Sequence, residues 1–203
     1  ANVLVFLLQI AIGDPFTRGF ALVPAEIVTG KDLVKPAPMK LKVPYRDHFP
    51  GPTYGKVRYI EETVMVPQAR GPRPVQLTLL TSMFMHGGWI HLIGNMWFLL
   101  IFGRNVELAM GRQLFIFFYF TCGLVSGFAD VLVDPHSVVP YLGASGAISG
   151  VMGAYFFIFP LNRVKVLISW YVVELPSFVV VGLWFLMQYL STVSAVTSGQ
   201  IHT

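Results

Sequence analysis

Between Arg73 and Arg104 the chain carries no charged side chain, and the interval is apolar almost throughout. About 20 apolar residues in a helix cross the hydrocarbon of a bilayer, so residues 77–102 predict one membrane-spanning helix. Uncharged runs recur at 113–129 and 141–160, and a fourth apolar run at 166–190 is interrupted by Glu174 and Pro176. The stretch 3–12 is apolar but too short to span alone, and reads as the second half of a first spanning helix. Five membrane segments result. Composition points the same way: 55% of residues are hydrophobic and 12% charged, against about 25% charged in a soluble domain. Mean hydropathy is +0.66. The expected fold class is therefore all-α, a polytopic membrane helical bundle.

The chain reads as a single membrane domain over 1–203: a helix remnant at 1–12, a long first loop at 13–75, helices over 76–190 and a small polar loop at 191–203 that leads towards a further helix. The formal charge is +4, but most basic residues lie in 13–75 rather than over a globular surface, which argues against nucleic acid as a partner. That segment is rich in Pro and Gly, has β-like pieces such as 57–60, and is too long for an idle connector. It predicts a mixed, irregular, interfacial insertion. Short loops set the orientation. Arg104 and Arg112 flank one connection, Arg163 and Lys165 another, whereas 130–143 and 191–203 carry no Lys or Arg. The positive-inside rule puts the first pair of loops in the cytoplasm and the second pair outside. Cys122 is the single cysteine and reads as a small buried hydrophobe.

Gly143-Ala144-Ser145-Gly146 opens an apolar helix. Small residues at Gly143, Ala144 and Gly146 leave the Ser145 hydroxyl open to an approaching backbone, and a helix N-terminus offers free N–H groups to an oxyanion. Alone, the motif favours helix packing instead: Gly146 and Gly150 form a small-xxx-small pair, as do Gly123 and Gly127. A second motif, His86-Gly87-Gly88-Trp89-Ile90-His91-Leu92-Ile93-Gly94-Asn95, places His91 and Asn95 on one helix face. Polar groups at membrane depth are expensive and face a bundle interior or cavity. His91 reads equally as an interhelical hydrogen-bonding residue or as a donor to developing negative charge, and His86 reads as structural. No metal is expected, because His86 and His91 are five apart with no acidic residue placed as in H-E-x-x-H.

Taken together, His86…His91-x-x-x-Asn95, Phe102-Gly103-x-x-x-Glu107-x-x-x-Gly111 and Leu142-Gly-Ala-Ser-Gly-Ala-Ile-Ser-Gly150 resemble the rhomboid intramembrane serine proteases in order and separation. Glu174-Leu175-Pro176, Gly182-Leu-Trp-Phe185 and Gln188 extend the resemblance to about residue 188. The resemblance implies a six-helix core. Ser145 would be the nucleophile, with His91, Asn95 and the Ser145 N–H as the oxyanion hole and Glu107 as a structural loop residue. The general base would be a histidine on the sixth helix, in an A-H-x-x-G-x-x-x-G pattern. Substrates would be transmembrane segments of other proteins in the lipid bilayer, and no cofactor is needed; the short loops and the lack of an organelle-targeting presequence point to a bacterial inner membrane. Ser149 stands where the family often carries an aromatic residue. His48, His136 and His202 do not lie on such a helix, so the base is expected beyond Thr203. The competing reading is a non-catalytic relative that binds transmembrane helices.

Overall fold

A computed structural model describes residues 1–46, 57–168 and 170–197; His48 and His202 lie outside the described residues. The chain is mainly helical. In order come α1 (Asn2–Ile12), α2 (Asp14–Phe20), α3 (Pro24–Thr29), the strands β1 (Ala37–Arg46) and β2 (Val57–Val66), then α4 (Thr78–Thr81), α5 (Trp89–Phe98), α6 (Arg104–Met110), α7 (Arg112–Val133) and α8 (Ser145–Ile158). A second hairpin, β3 (Arg163–Ile168) and β4 (Tyr171–Pro176), leads to α9 (Ser177–Thr197).

Several helices turn large apolar side chains outward while burying some polar ones. On α1, Asn2, Phe6 and Gln9 share the buried face while Leu4 is 69% exposed. On α5, Leu92 and Asn95 are buried while Ile90 is 90% exposed. Water-facing surfaces do not carry apolar area on this scale, whereas lipid-facing ones do. At 22 residues, α7 is about 33 Å long at 1.5 Å per residue. Among the described residues it is the one helix long and apolar enough to cross a membrane.

The expected all-α bundle needs three corrections. Residues 77–102 are not one helix. A 3-10 turn at Val75–Leu77, short α4, a second 3-10 turn at Ser82–Phe84 and an extended break precede α5, and a π-helical turn at Leu99–Gly103 joins α5 to α6. The Gly87-Gly88 pair ends helical propagation there, since Gly lacks the restriction that favours a helix; Gly88 is fully extended, with φ 164° and ψ 174°. Residues 166–190 are likewise not one segment. Residues 171–176 pair with 163–168 as an antiparallel hairpin, Arg163 opposite Pro176 and Ile168 opposite Tyr171, because Val recurs in both arms beside Ile in the first and Tyr in the second. Finally, 13–75 is more regular than an irregular insertion: β1 and β2 pair over their full length, Ala37 opposite Val66 and Arg46 opposite Val57.

α7 and α8 are antiparallel neighbours. A Cβ on Gly146 would overlap the Ser126 hydroxyl, and one on Gly150 would overlap the Cys122 thiol, so the two helices meet at backbone distance. The pairing brings the start of α7, at Arg112, to the level of the C-terminus of α8, and Gly127, in the last third of α7, to the level of Ser145. Phe102, Val106, Ile148, Val151, Met152, Tyr155 and Val181 form the main core. The first loop packs at the Ser145 end. Leu22 and Tyr141 exchange backbone hydrogen bonds of 2.8 and 2.7 Å, Ala25 N–H donates to the Ser137 carbonyl at 3.0 Å, and Gln68 Nε2 donates to the Val138 carbonyl at 2.6 Å.

Glu26 on α3 is buried, 4% exposed, and accepts the Leu33 N–H at 2.6 Å. Burial pushes its carboxyl above the ordinary range, with Asp32 adding to the rise and the Leu33 hydrogen bond opposing it. The folded state thus holds this proton more tightly than the unfolded chain does. Its contribution is fully present below the unfolded value and is lost as pH rises through the folded one. Glu26→Gln keeps an acceptor for Leu33. Thermal unfolding in detergent should show the variant gaining on the parent as pH rises above the ordinary carboxylate value of 4.5; a pH-independent difference would contradict the assignment.

Candidate active site

α8 begins at Ser145, which occupies the first helical position behind Ala144, so its N–H is among the donors that no helix carbonyl satisfies. The serine is exposed and lines a cavity of about 240 Å³ with Ser82, Ser126, Asp130, Gly143 and Ser149. The segment entering the helix is held from outside. Gly143 N–H donates to the Ser82 carbonyl at 2.9 Å, and the Leu22–Tyr141 bridge fixes it two residues earlier.

Gly143 is where the two sequence motifs meet. Its φ is +124°, a conformation that side-chain-bearing residues rarely adopt. A Cβ built there would lie 2.7 Å from His91 Nε2, 2.8 Å from His91 Cε1 and 3.7 Å from Asn95 Nδ2. The backbone two residues ahead of Ser145 therefore lies against both polar side chains of α5. Asn95 is buried, 8% exposed, and its Nδ2 donor has no partner among the described residues. A buried donor left unpaired costs about 1–3 kcal/mol. Two N–H-bearing side chains and a helix N-terminus around one glycine have the composition of an anion-stabilising site.

His91 Nδ1 accepts the Gly87 N–H at 3.4 Å. His86 is 2% exposed, its Nδ1 lies 3.1 Å from the Phe84 carbonyl, and its ring stands edge-on to His91 with centroids 5.2 Å apart. Gly146 faces Ser126 on α7, so the small residue after Ser145 serves helix packing. Ser149 donates to the Ser145 carbonyl at 2.7 Å. Glu107 is corrected from loop to helix: it lies on α6, where its carbonyl accepts the Gly111 N–H at 2.8 Å. His136 is an exposed residue of the α7–α8 connection. Among the described residues no three His, Cys, Asp or Glu side chains cluster as a metal site would require.

One residue of this neighbourhood was missed in the sequence, where Gln9 passes as part of an apolar run. Its amide bonds both backbone groups of His86. The available signal was the polarity itself, since an amide in an apolar helix needs a partner.

The Rhomboid domain family matches residues 74–201. Over 79 residues the chain is 32% identical to the putative rhomboid protease YdcA of Bacillus subtilis (strain 168), covering 39% of each protein. It is 35% identical over 85 residues to the rhomboid protease GluP of the same organism, covering 42% of this chain and 16% of that one. Against the mitochondrial presenilin-associated rhomboid-like protein of Rattus norvegicus it is 31% identical over 91 residues, covering 44% and 24%. The matches thus span less than half the length of these curated relatives. No solved structure matches. With more than half of its residues inside the family match, this chain belongs to the Rhomboid family.

Proposed function

We propose that the protein is an intramembrane serine endopeptidase with Ser145 as nucleophile and with His91, Asn95 and the Ser145 N–H as oxyanion donors. The observation that supports this reading is the placement of Gly143 against His91 Nε2 and Asn95 Nδ2, two residues ahead of a serine at the first position of a helix. Members of the family are usually serine proteases and are integral membrane proteins, and two Bacillus relatives are named as proteases.

In this mechanism a substrate carbonyl sits over the α8 N-terminus. Attack by Ser145 Oγ moves negative charge onto the carbonyl oxygen, and the three N–H donors stabilise it more than they stabilise the ground state. A serine hydroxyl is a weak nucleophile until a base takes its proton. The reading therefore requires a histidine on a further helix beside Ser145. Substrates would be transmembrane segments of other proteins, cleaved towards the membrane face where α8 begins; the short-loop charges support that face being the outer one, here of a bacterial inner membrane. At 14 residues, α8 is about 21 Å long, shorter than the roughly 30 Å hydrocarbon core. That length supports a serine set below the surface, with the cavity admitting water.

The test is covalent. A fluorophosphonate probe should label the full-length protein in membranes at Ser145, and Ser145→Ala should abolish the label. His91→Ala and Asn95→Ala should each slow labelling about 10²-fold, the scale of one lost oxyanion donor. Full-length protein that stays unlabelled, though folded, would favour the non-catalytic reading, in which the same bundle only holds transmembrane helices.

A further inference from the structure

Gln9 lies 77 positions before His86 in sequence, yet its side chain closes a ring with that residue's backbone. Gln9 Nε2 donates to the His86 carbonyl at 3.0 Å, and Gln9 Oε1 accepts the His86 N–H at 3.0 Å. Gln9 is 5% exposed; its Nε2 also donates to Thr17 Oγ1 at 2.9 Å.

The His86 carbonyl and the Gly87 N–H belong to one planar peptide unit, and in a trans peptide they point in opposite directions. Holding the carbonyl on Gln9 therefore aims the Gly87 N–H the other way, where it meets His91 Nδ1 at 3.4 Å. A ring nitrogen that accepts a hydrogen bond carries no proton, so the neutral imidazole holds its proton on Nε2. Nε2 is the atom that faces Gly143. The relay runs from the Gln9 amide through one peptide plane to His91, and each hydrogen bond polarises the next.

We propose that Gln9 is a positioning residue for His91: by clamping the His86–Gly87 peptide it fixes the Nε2–H tautomer that points a donor at the backbone ahead of Ser145. The catalytic consequence rests on the oxyanion reading given above; the tautomer itself does not. Gln9 never touches the reacting atoms. Without the clamp the peptide can rotate, the Gly87 N–H leaves Nδ1, and part of the population presents a bare Nε2 lone pair to developing negative charge.

The experiment uses full-length protein in liposomes with 15N-labelled histidine. Ring 15N shifts, recorded without substrate, should show His91 protonated at Nε2 in the parent and a mixture of tautomers in Gln9→Met, which is similar in length but lacks the amide. Gln9→Asn, one methylene short of the peptide, is the second variant should Gln9→Met not fold, and should show the same mixture. Thr17→Val leaves the clamp intact and should match the parent. In cleavage of a transmembrane substrate, Gln9→Met should lower kcat about tenfold at unchanged KM, part of the roughly 10²-fold or greater effect of losing a donor outright. Parent-like His91 shifts in a folded Gln9→Met protein would overturn the proposal, whatever its melting temperature. A shifted tautomer together with full activity in His91→Ala would keep the clamp and remove the oxyanion reading.

Discussion

Gly143→Ala should abolish most activity, with kcat falling by about 10²-fold or more, the scale of one lost oxyanion donor. Two independent effects act at this position. The backbone sits at φ +124°, where an added side chain is strained by about 1–3 kcal/mol. The new methyl would also meet His91 Nε2 and Cε1 at 2.7 and 2.8 Å, well inside van der Waals contact. Neither neighbour can give way cheaply. The His91 ring is hemmed by Gly87 and by the edge-on His86 ring, and Gly143 is tied to Ser82 through its own N–H. Whichever moves, donor and nucleophile separate, and a small misplacement at a reacting centre costs about 10²-fold. The check is kcat and KM for a transmembrane substrate beside thermal unfolding in detergent. A variant with near-parental kcat would contradict the geometry. A folded variant that labels slowly with fluorophosphonate would support it.

The parts of this site that lie close in sequence were the legible ones. His91 and Asn95 share a face because four residues make about one helical turn, and a serine amid Gly143, Ala144 and Gly146 signals an uncovered hydroxyl. That the two motifs converge came from resemblance, since no local pattern says which helix faces which. Hydropathy found the apolar runs but not their shape. Over 77–102 a 3-10 turn, an extended break and a π turn are as apolar as a continuous helix, so the charge-free interval hid all three; the Gly87-Gly88 pair was the usable sign. Over 163–176 the β-branched and aromatic residues on both sides of Ser169 and Trp170 were the sign of a hairpin, overlooked because length and hydropathy fitted a spanning segment. Gln9 illustrates the remaining limit. Its partner is 77 residues away, and an isolated amide says that it needs a partner without saying which one.

Helix α8 offers a sharper test of packing, because two of its glycines have opposite surroundings. At Gly150 a Cβ would fall on the Cys122 thiol and lie 2.6 Å from the Cys122 Cβ; at Gly153 it would meet nothing within 4 Å. Gly150→Ala should therefore destabilise the protein by about 1–3 kcal/mol, the range for overpacking a close contact. Gly153→Ala should be neutral or should stabilise by up to about 1 kcal/mol, as expected when alanine replaces glycine inside a helix. The cause can be isolated by moving the methyl from one helix to the other. Cys122→Gly clears the space opposite Gly150, so Gly150→Ala combined with Cys122→Gly should recover stability relative to Gly150→Ala alone. The coupling should exceed about 0.5 kcal/mol, beyond what independent sites show. Unfolding in detergent micelles measures all four variants. Equal effects of Gly150→Ala and Gly153→Ala would mean that α7 and α8 are not in backbone contact. The consequence reaches the site: Ser145 rides on α8, and Ser126, one turn beyond Cys122 on α7, packs against Gly146. Forcing the helices apart at Gly150 should then slow fluorophosphonate labelling of Ser145 as well, and the Cys122→Gly partner substitution should restore it.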